Sequence, residues 1–226
     1  MPRLKETPVT TTILVLIAIV FLAELFFGAP KNDEVLVAMG AIIHGTLSNH
    51  EYWRLVAAMF LHANWIHWLV NSWALYQLGS LYEAMFGKVR FTVIYFVTGI
   101  CASFASAMKL APGGASVGAS GAIFGILGAF IFSIRRSQWR HEPWTRGLTQ
   151  QLVFWGLLNL AVGASFAFID NTAHVAGLLT GLLLGLVLPH RVPPPPPTRQ
   201  VIDVQPYDDS PMPPRDASAS PFDDQP

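Results

Sequence analysis

Charge and cysteine are the scarce ingredients of this sequence. Only 12% of its 226 residues are charged, about half of what a soluble domain carries. The formal net charge is +0, which removes the electrostatic basis for a nucleic-acid partner. A single cysteine, Cys101, excludes an internal disulfide and has no metal-ligand spacing around it. Lying in an apolar stretch, it reads as a small packing residue. A cleaved leader is not expected: the first apolar run, about 18 residues, is too long for a signal h-region, and no small-x-small site follows it.

Apolar residues make up 52% of the chain. Six stretches are long enough to approach a bilayer crossing of roughly 20 residues. They fall at about 9–28, 64–84, 90–110, 120–136, 147–168 and 173–189. The fourth and sixth are short, so their outer ends are expected below the membrane surface. Lys and Arg concentrate on one side of this arrangement: Arg3 and Lys5, Lys88 and Arg90, Arg135, Arg136, Arg140 and Arg146, then Arg191 after span six. Only Lys31, Arg54 and Lys109 lie opposite. The positive-inside rule then places both termini in the cytoplasm. The expected organisation is a cytoplasmic N-terminus (1–8), a six-helix membrane domain (9–190) and a proline-rich cytoplasmic tail (191–226). That tail has too little apolar area to offset chain entropy and is expected to be disordered. The first external loop, about 29–63, is too long for a simple connector. Its segment 51–60 mixes aromatic and apolar residues with Arg54, which suits an element lying in the membrane interface.

Strongly polar residues inside such spans are costly and are functional candidates by default. Here they are Glu24, His67, Asn71, Glu83, Ser120, Asn159, Asn171 and His174. Glu24 and Glu83 lie near span ends and could reach the interface. Asn159 is expected to bond across helices. Three groups stand out. Gly118-Ala119-Ser120-Gly121 opens span four after a glycine-rich stretch that cannot be a stable helix. The first amides of a helix have no internal partner and favour negative charge, so a serine there sits beside an oxyanion site. Ser120 can also be read as a helix N-cap. His174 opens span six, with Gly177, Gly181 and Gly185 on its face; span four carries Gly121, Gly125 and Gly128. If these glycine faces pack closely, Ser120 and His174 meet and the imidazole can take the serine proton; otherwise they are two unrelated helix starts. Finally, His67 and Asn71 share one face at the start of span two and can both donate hydrogen bonds into a cavity. His62 falls just before that helix. The motif H-E-x-x-H does not occur, so neither a metal nor a cofactor is expected.

Taken together, these elements resemble the rhomboid family. They are Trp53-Arg54, His62-x4-His67-x3-Asn71, Gly118-x-Ser120-Gly121 and Ala173-His174-x2-Gly177-x3-Gly181, in family order over about residues 8–190. The resemblance implies an all-α membrane protein: six transmembrane helices in a compact rhomboid-like bundle with a long first external loop. It also implies an intramembrane serine endopeptidase with a Ser–His dyad and no third acid. Ser120 would be nucleophile, His174 base, and His67 and Asn71 with the Ser120 amide the oxyanion site. Trp53 and Arg54 belong to the first-loop structure, and His62, Gly118, Gly121, Gly177 and Gly181 are supporting residues. Phe124 replaces the tyrosine that many relatives stack on the histidine. Glu83 matches an acidic position of structural role. Substrates would be single-pass or other transmembrane proteins, in a bacterial inner membrane. A client-binding protein without catalysis would lack Ser120 or His174, and a transporter would show an internal repeat that is absent here.

Overall fold

Proline opens the first helix and glycine ends it. In the computed structural model, which describes residues 6–165 and 169–188, α1 (Pro8–Phe27) carries Pro8 in its first turn, where a missing N–H costs nothing. Gly28 ends it in the left-handed conformation, φ +80°. The expectations for Arg3, Lys5, Arg191 and the 191–226 tail lie outside the described residues. The chain continues through α2 (Asp33–Met39), the strand β1 (Ile42–Ile43) and the single turn α3 (Arg54–Ala57). Next, α4 (Trp65–Ala74), a π-helical turn (Leu75–Gly79) and α5 (Ser80–Phe86) run on as one interrupted helix. Then follow α6 (Lys88–Lys109), the strand β2 (Ala115–Ser116), α7 (Ser120–Arg136), α8 (Pro143–Ser165) and α9 (Asn171–Val187).

The molecule is mostly helical, with one addition to the all-α expectation. β1 and β2 pair antiparallel, Ile42 opposite Ser116 and Ile43 opposite Ala115. Two residues are too few to show the alternation that marks a strand in sequence. The π turn at 75–79 was equally silent, since a one-turn widening leaves no period of its own. By length and composition, α1 and α6 can each cross a bilayer, while α9 is a shorter apolar helix.

α7 is the central element. Its residues from Gly121 to Phe130 are all buried, and α6 and α9 flank it. The glycines set the spacing. A Cβ at Gly177 or Gly181 would fall onto the carbonyl oxygen of Gly121 or Gly125, and one at Gly185 would lie 2.5 Å from that of Ala129. The α9 backbone therefore rests on the α7 backbone. The α7 stripe divides its work differently from the simple face-to-face picture. Gly128 faces α9, at Leu178, but Gly121 and Gly125 aim their missing side chains at Ala102 and Thr98 of α6. Three helices converge because α7 offers glycine positions to both of its neighbours.

Glu83 has the structural role that the resemblance implies, and not the interface position its place near a span end suggested. It is 3% exposed and accepts hydrogen bonds from the Val9 amide (3.0 Å), the Thr10 amide (2.8 Å) and the Thr10 hydroxyl (2.7 Å). A carboxylate from α5 thus caps α1, meeting unpartnered amides at the positive end of the helix dipole. Glu24 is also fully buried, and its Oε1 accepts from the His62 amide at 2.7 Å. Neither acid reaches an interface, because each points inward at a backbone donor that would otherwise be orphaned. Two further expectations are corrected. Asn159 bonds the Trp155 carbonyl one turn back (2.7 Å) instead of another helix, the local competitor always within reach of such a side chain. Cys101 is exposed, because it shares the outward face of α6 with Val97, Phe104 and Met108.

Gly181→Val tests the α7–α9 contact. A side chain there meets backbone, which cannot rotate away. We expect a loss of about 3 kcal/mol, the upper end for overpacking, read as a lower Tm in detergent. An unchanged Tm would mean that the two helices do not touch at Gly181.

Candidate active site

Ser120 is the first residue of α7, and the residue before it, Ala119, occupies the cap position. Ser120 thus stands inside the helix and not at its N-cap. Its Oγ lies 2.9 Å from His174 Nε2. His174, in the first turn of α9, is 8% exposed. The glycine contacts between α7 and α9 begin directly below the pair, so the backbone spacing sets the side-chain spacing. Phe124, one turn below Ser120, stacks on the imidazole with centroids 4.4 Å apart and planes 17° from parallel.

His67 and Asn71 enter from α4. Asn64 caps that helix, its Oδ1 accepting from the His67 amide at 2.9 Å. The Asn71 side chain is 4% exposed and donates to the His67 carbonyl at 2.9 Å. One of its two amide hydrogens is therefore engaged within the helix and one is left. Gly118 has φ +124°, and a Cβ there would lie 2.8 Å from His67 Nε2 and 3.8 Å from Ser120 Oγ. The histidine ring and the serine oxygen thus face the same spot, which only a glycine leaves open. The Gly118 amide donates to Ala58 O at 2.8 Å, fastening the strand before Ser120 to the α3 segment. A cavity of about 920 Å³ is lined by Ser120, His174, His67, Asn71, Gln77 and Asn159, among others.

These groups combine a hydroxyl against a ring nitrogen, a stacked aromatic, polar side chains and the free amides of a helix start. Residues 49–191 match the Rhomboid domain. The chain belongs to the rhomboid family. It is 35% identical over 161 residues to rhomboid protease GluP of Bacillus subtilis, covering 71% of this chain and 31% of that one. It is 36% identical over 158 residues to RHOMBOID-like protein 7 of Arabidopsis thaliana, 70% of this chain and 50% of that one. To the protein named putative rhomboid protease YdcA of Bacillus subtilis it is 33% identical over 183 residues, 80% and 88% of the two chains. The chain therefore spans about a third to a half of the first two relatives and most of the third.

Trp53, Arg54 and His62, also part of the rhomboid motifs, do not line the cavity at the Ser120–His174 pair. Arg54 is 7% exposed. It donates to the Val37 and Ala41 carbonyls (2.5 and 3.0 Å) and pairs with Glu51 at 2.8 Å. Trp53 packs on Arg54, 4.7 Å from guanidinium carbon to ring centroid, and closes over Gly40. Both build the first-loop segment, and neither lines the cavity. His62 is fully buried, edge-on to His67 at 5.1 Å.

Asp170 was not legible from sequence. It lies four residues before His174, at the cap position of α9. It is half-buried: Oδ1 caps α9 by accepting from the Ala173 amide at 3.0 Å, and Oδ2 accepts from the hydroxyls of Ser116 (2.7 Å) and Ser106. One carboxylate fastens α9, β2 and α6 together. Yet His174 Nδ1 has no hydrogen-bond partner among the described residues, so Asp170 does not orient the ring directly. Asp170→Ala is expected to cost about 1–2 kcal/mol from the lost cap and stranded hydroxyls. Asn is as good a cap as Asp. If the Ser120–His174 pair hydrolyses peptides, Asp170→Asn should therefore keep the rate within about tenfold, against the loss of about 10⁴ when a triad aspartate is neutralised. Thermal melts and cleavage rates on both variants check the two statements.

Proposed function

We propose that this rhomboid is an intramembrane serine endopeptidase that cleaves peptide bonds in or near the transmembrane helices of other membrane proteins. The observation that carries the reading is the 2.9 Å contact between Ser120 Oγ and His174 Nε2. In the proposed mechanism His174 is neutral, with its proton on Nδ1, and Nε2 accepts the serine proton as Oγ attacks the scissile carbonyl. The amides at the start of α7, together with His67 and Asn71, stabilise the oxyanion of the tetrahedral intermediate. The imidazolium then returns its proton to the leaving amine, and the acyl-enzyme remains on Ser120. Water, deprotonated by His174, releases the second product. Phe124 holds the ring in its plane throughout.

Hydrolysis needs water, and a bilayer core has none. The cavity of about 920 Å³, mostly apolar but with Ser120, His174, His67 and Asn71 in its lining, has room for water and is walled by protein. The membrane setting is supported by the outer surface. Leu22 and Phe26 of α1, Trp65 and Trp73 of α4, Phe154 and Leu157 of α8, and Leu179 and Leu183 of α9 are all exposed. In water such a shell would be an aggregation surface; in lipid it is solvated. The reading takes α1, α4–α5, α6, α7, α8 and α9 as six spans of a membrane domain at 9–190. Residues 1–8 and a tail at 191–226 then lie in the cytoplasm of a bacterial cell, and the loop from 29 to 63 on the far side.

Ser120→Ala and His174→Ala should each abolish cleavage of a reporter transmembrane substrate while the chain still inserts. Because the two act as a unit, the double variant should be no worse than either single one. Substantial cleavage by Ser120→Ala would sink the assignment. Asn71→Ala should lower kcat by about 10²-fold, the low end for one lost oxyanion donor, and leave labelling of Ser120 by a fluorophosphonate probe partly intact.

A further inference from the structure

A second cavity, about 700 Å³, opens at the far end of α7 from Ser120, between that end and the start of α8. Its lining combines Arg135, Arg140, His141 and Arg146 with Thr145, Thr149 and Gln150 and the apolar Ile134, Val153 and Phe154. Arg140 donates from Nε to His141 Nε2 at 2.8 Å, which holds its guanidinium at the mouth with the remaining N–H groups free. None of the three arginines is in an ion pair among the described residues. The one carboxylate nearby in sequence, Glu142, does not line the cavity. The start of the 23-residue helix α8 adds the positive end of a dipole, which favours an anion.

We propose that this cleft binds the phosphate headgroup of an anionic phospholipid. Charge complementarity selects a phosphate: three uncompensated guanidiniums and a helix start converge on one opening, and guanidinium forks match phosphate oxygens. The apolar part of the lining selects a lipid over a free phosphate. Val153 and Phe154 are exposed, and the outward face of α8 continues with Leu157 and Leu158, so acyl chains can run along the helix from a headgroup seated in the cleft. The inference rests on the membrane reading above, which puts these arginines at the cytoplasmic surface, where basic pockets between helices meet lipid headgroups. It does not rest on the Ser120–His174 chemistry.

The test is native mass spectrometry of the full chain in detergent with equal amounts of phosphatidylglycerol and phosphatidylcholine. Phosphatidylglycerol should be retained preferentially, and by Ser120→Ala as well as by the unaltered chain. Each arginine near a membrane surface contributes about fivefold, so Arg135→Gln, Arg140→Gln and Arg146→Gln combined should weaken retention about 100-fold at unchanged Tm. The three corresponding lysine substitutions should keep most of it. Millimolar inorganic phosphate should not displace the lipid. Retention of phosphatidylglycerol by the glutamine variant, equal retention of both lipids, or displacement by inorganic phosphate would overturn the proposal. A chain that stays soluble without detergent and takes up neither lipid would overturn the membrane reading, and this proposal with it.

Discussion

The α9 backbone lies on the α7 backbone with no side chain between them, and the placement of the site follows from that contact. Gly177 and Gly181 sit over the Gly121 and Gly125 carbonyls, where a methyl group would overlap the oxygen. Helices with ordinary side chains pack 8–10 Å apart; bare faces allow closer approach, which apolar burial does not enforce in lipid and which van der Waals contact must sustain. A hydrogen bond such as that between Ser120 and His174 tolerates only a few tenths of an ångström of error. Long flexible side chains could bridge a wider gap, but only at the cost of the fixed geometry that proton transfer needs. The glycines are thus the reason a serine and a short imidazole arm suffice.

That contact would be useless if the ends of α7 and α9 were free to fray. Asp170 prevents it at the start of α9, and Glu83 and Arg54 secure other parts of the frame in the same way, by serving backbone groups. Glu83 caps α1, Asp170 caps α9 and holds Ser106 and Ser116, and Arg54 gathers the Val37 and Ala41 carbonyls. In a low-dielectric surrounding an unsatisfied amide is expensive, and an ionised acceptor satisfies it more strongly than a neutral one. The first-loop segment, β2 and the start of α9 are therefore fastened at the same end of the molecule, around the cavity.

What the sequence disclosed and what it withheld divide along physical lines. Periodic features were legible. The glycine stripes at offsets of three and four placed α7 against α9, and the apolar runs marked the helices to within a few residues. Side chains whose partners lie far away in sequence were not. Glu24 was open to an interface reading because nothing local shows that His62 comes to meet it, and the structural role of Glu83 came from the resemblance alone, since nothing local shows Thr10 beside it. Asp170 gave no local sign of its role, because its serine partners are 54 and 64 residues away. Asn159 failed in the opposite sense: an interhelical bond was expected, and the nearest carbonyl of its own helix took the side chain. The π turn and the two-residue strand pairing are too short to leave any period. Motif spacing carried the site, and tertiary capping carried what holds it.

In the proposed mechanism the missing third acid becomes intelligible from the same geometry. A triad aspartate fixes the tautomer and plane of its histidine and stabilises the imidazolium. Here Asp170 is close in sequence to His174 but fully committed, with Oδ1 on the Ala173 amide and Oδ2 on two hydroxyls. The plane of the ring is fixed instead by Phe124, 4.4 Å away and nearly parallel, and its position by the backbone of α9. An aromatic face also favours a cation through its quadrupole, so the ring that orients neutral His174 can stabilise it once protonated. A tyrosine at this position would add only a hydroxyl at the far edge of the ring, away from the stacked face. Stacking requires the ring and not the hydroxyl, and phenylalanine supplies it.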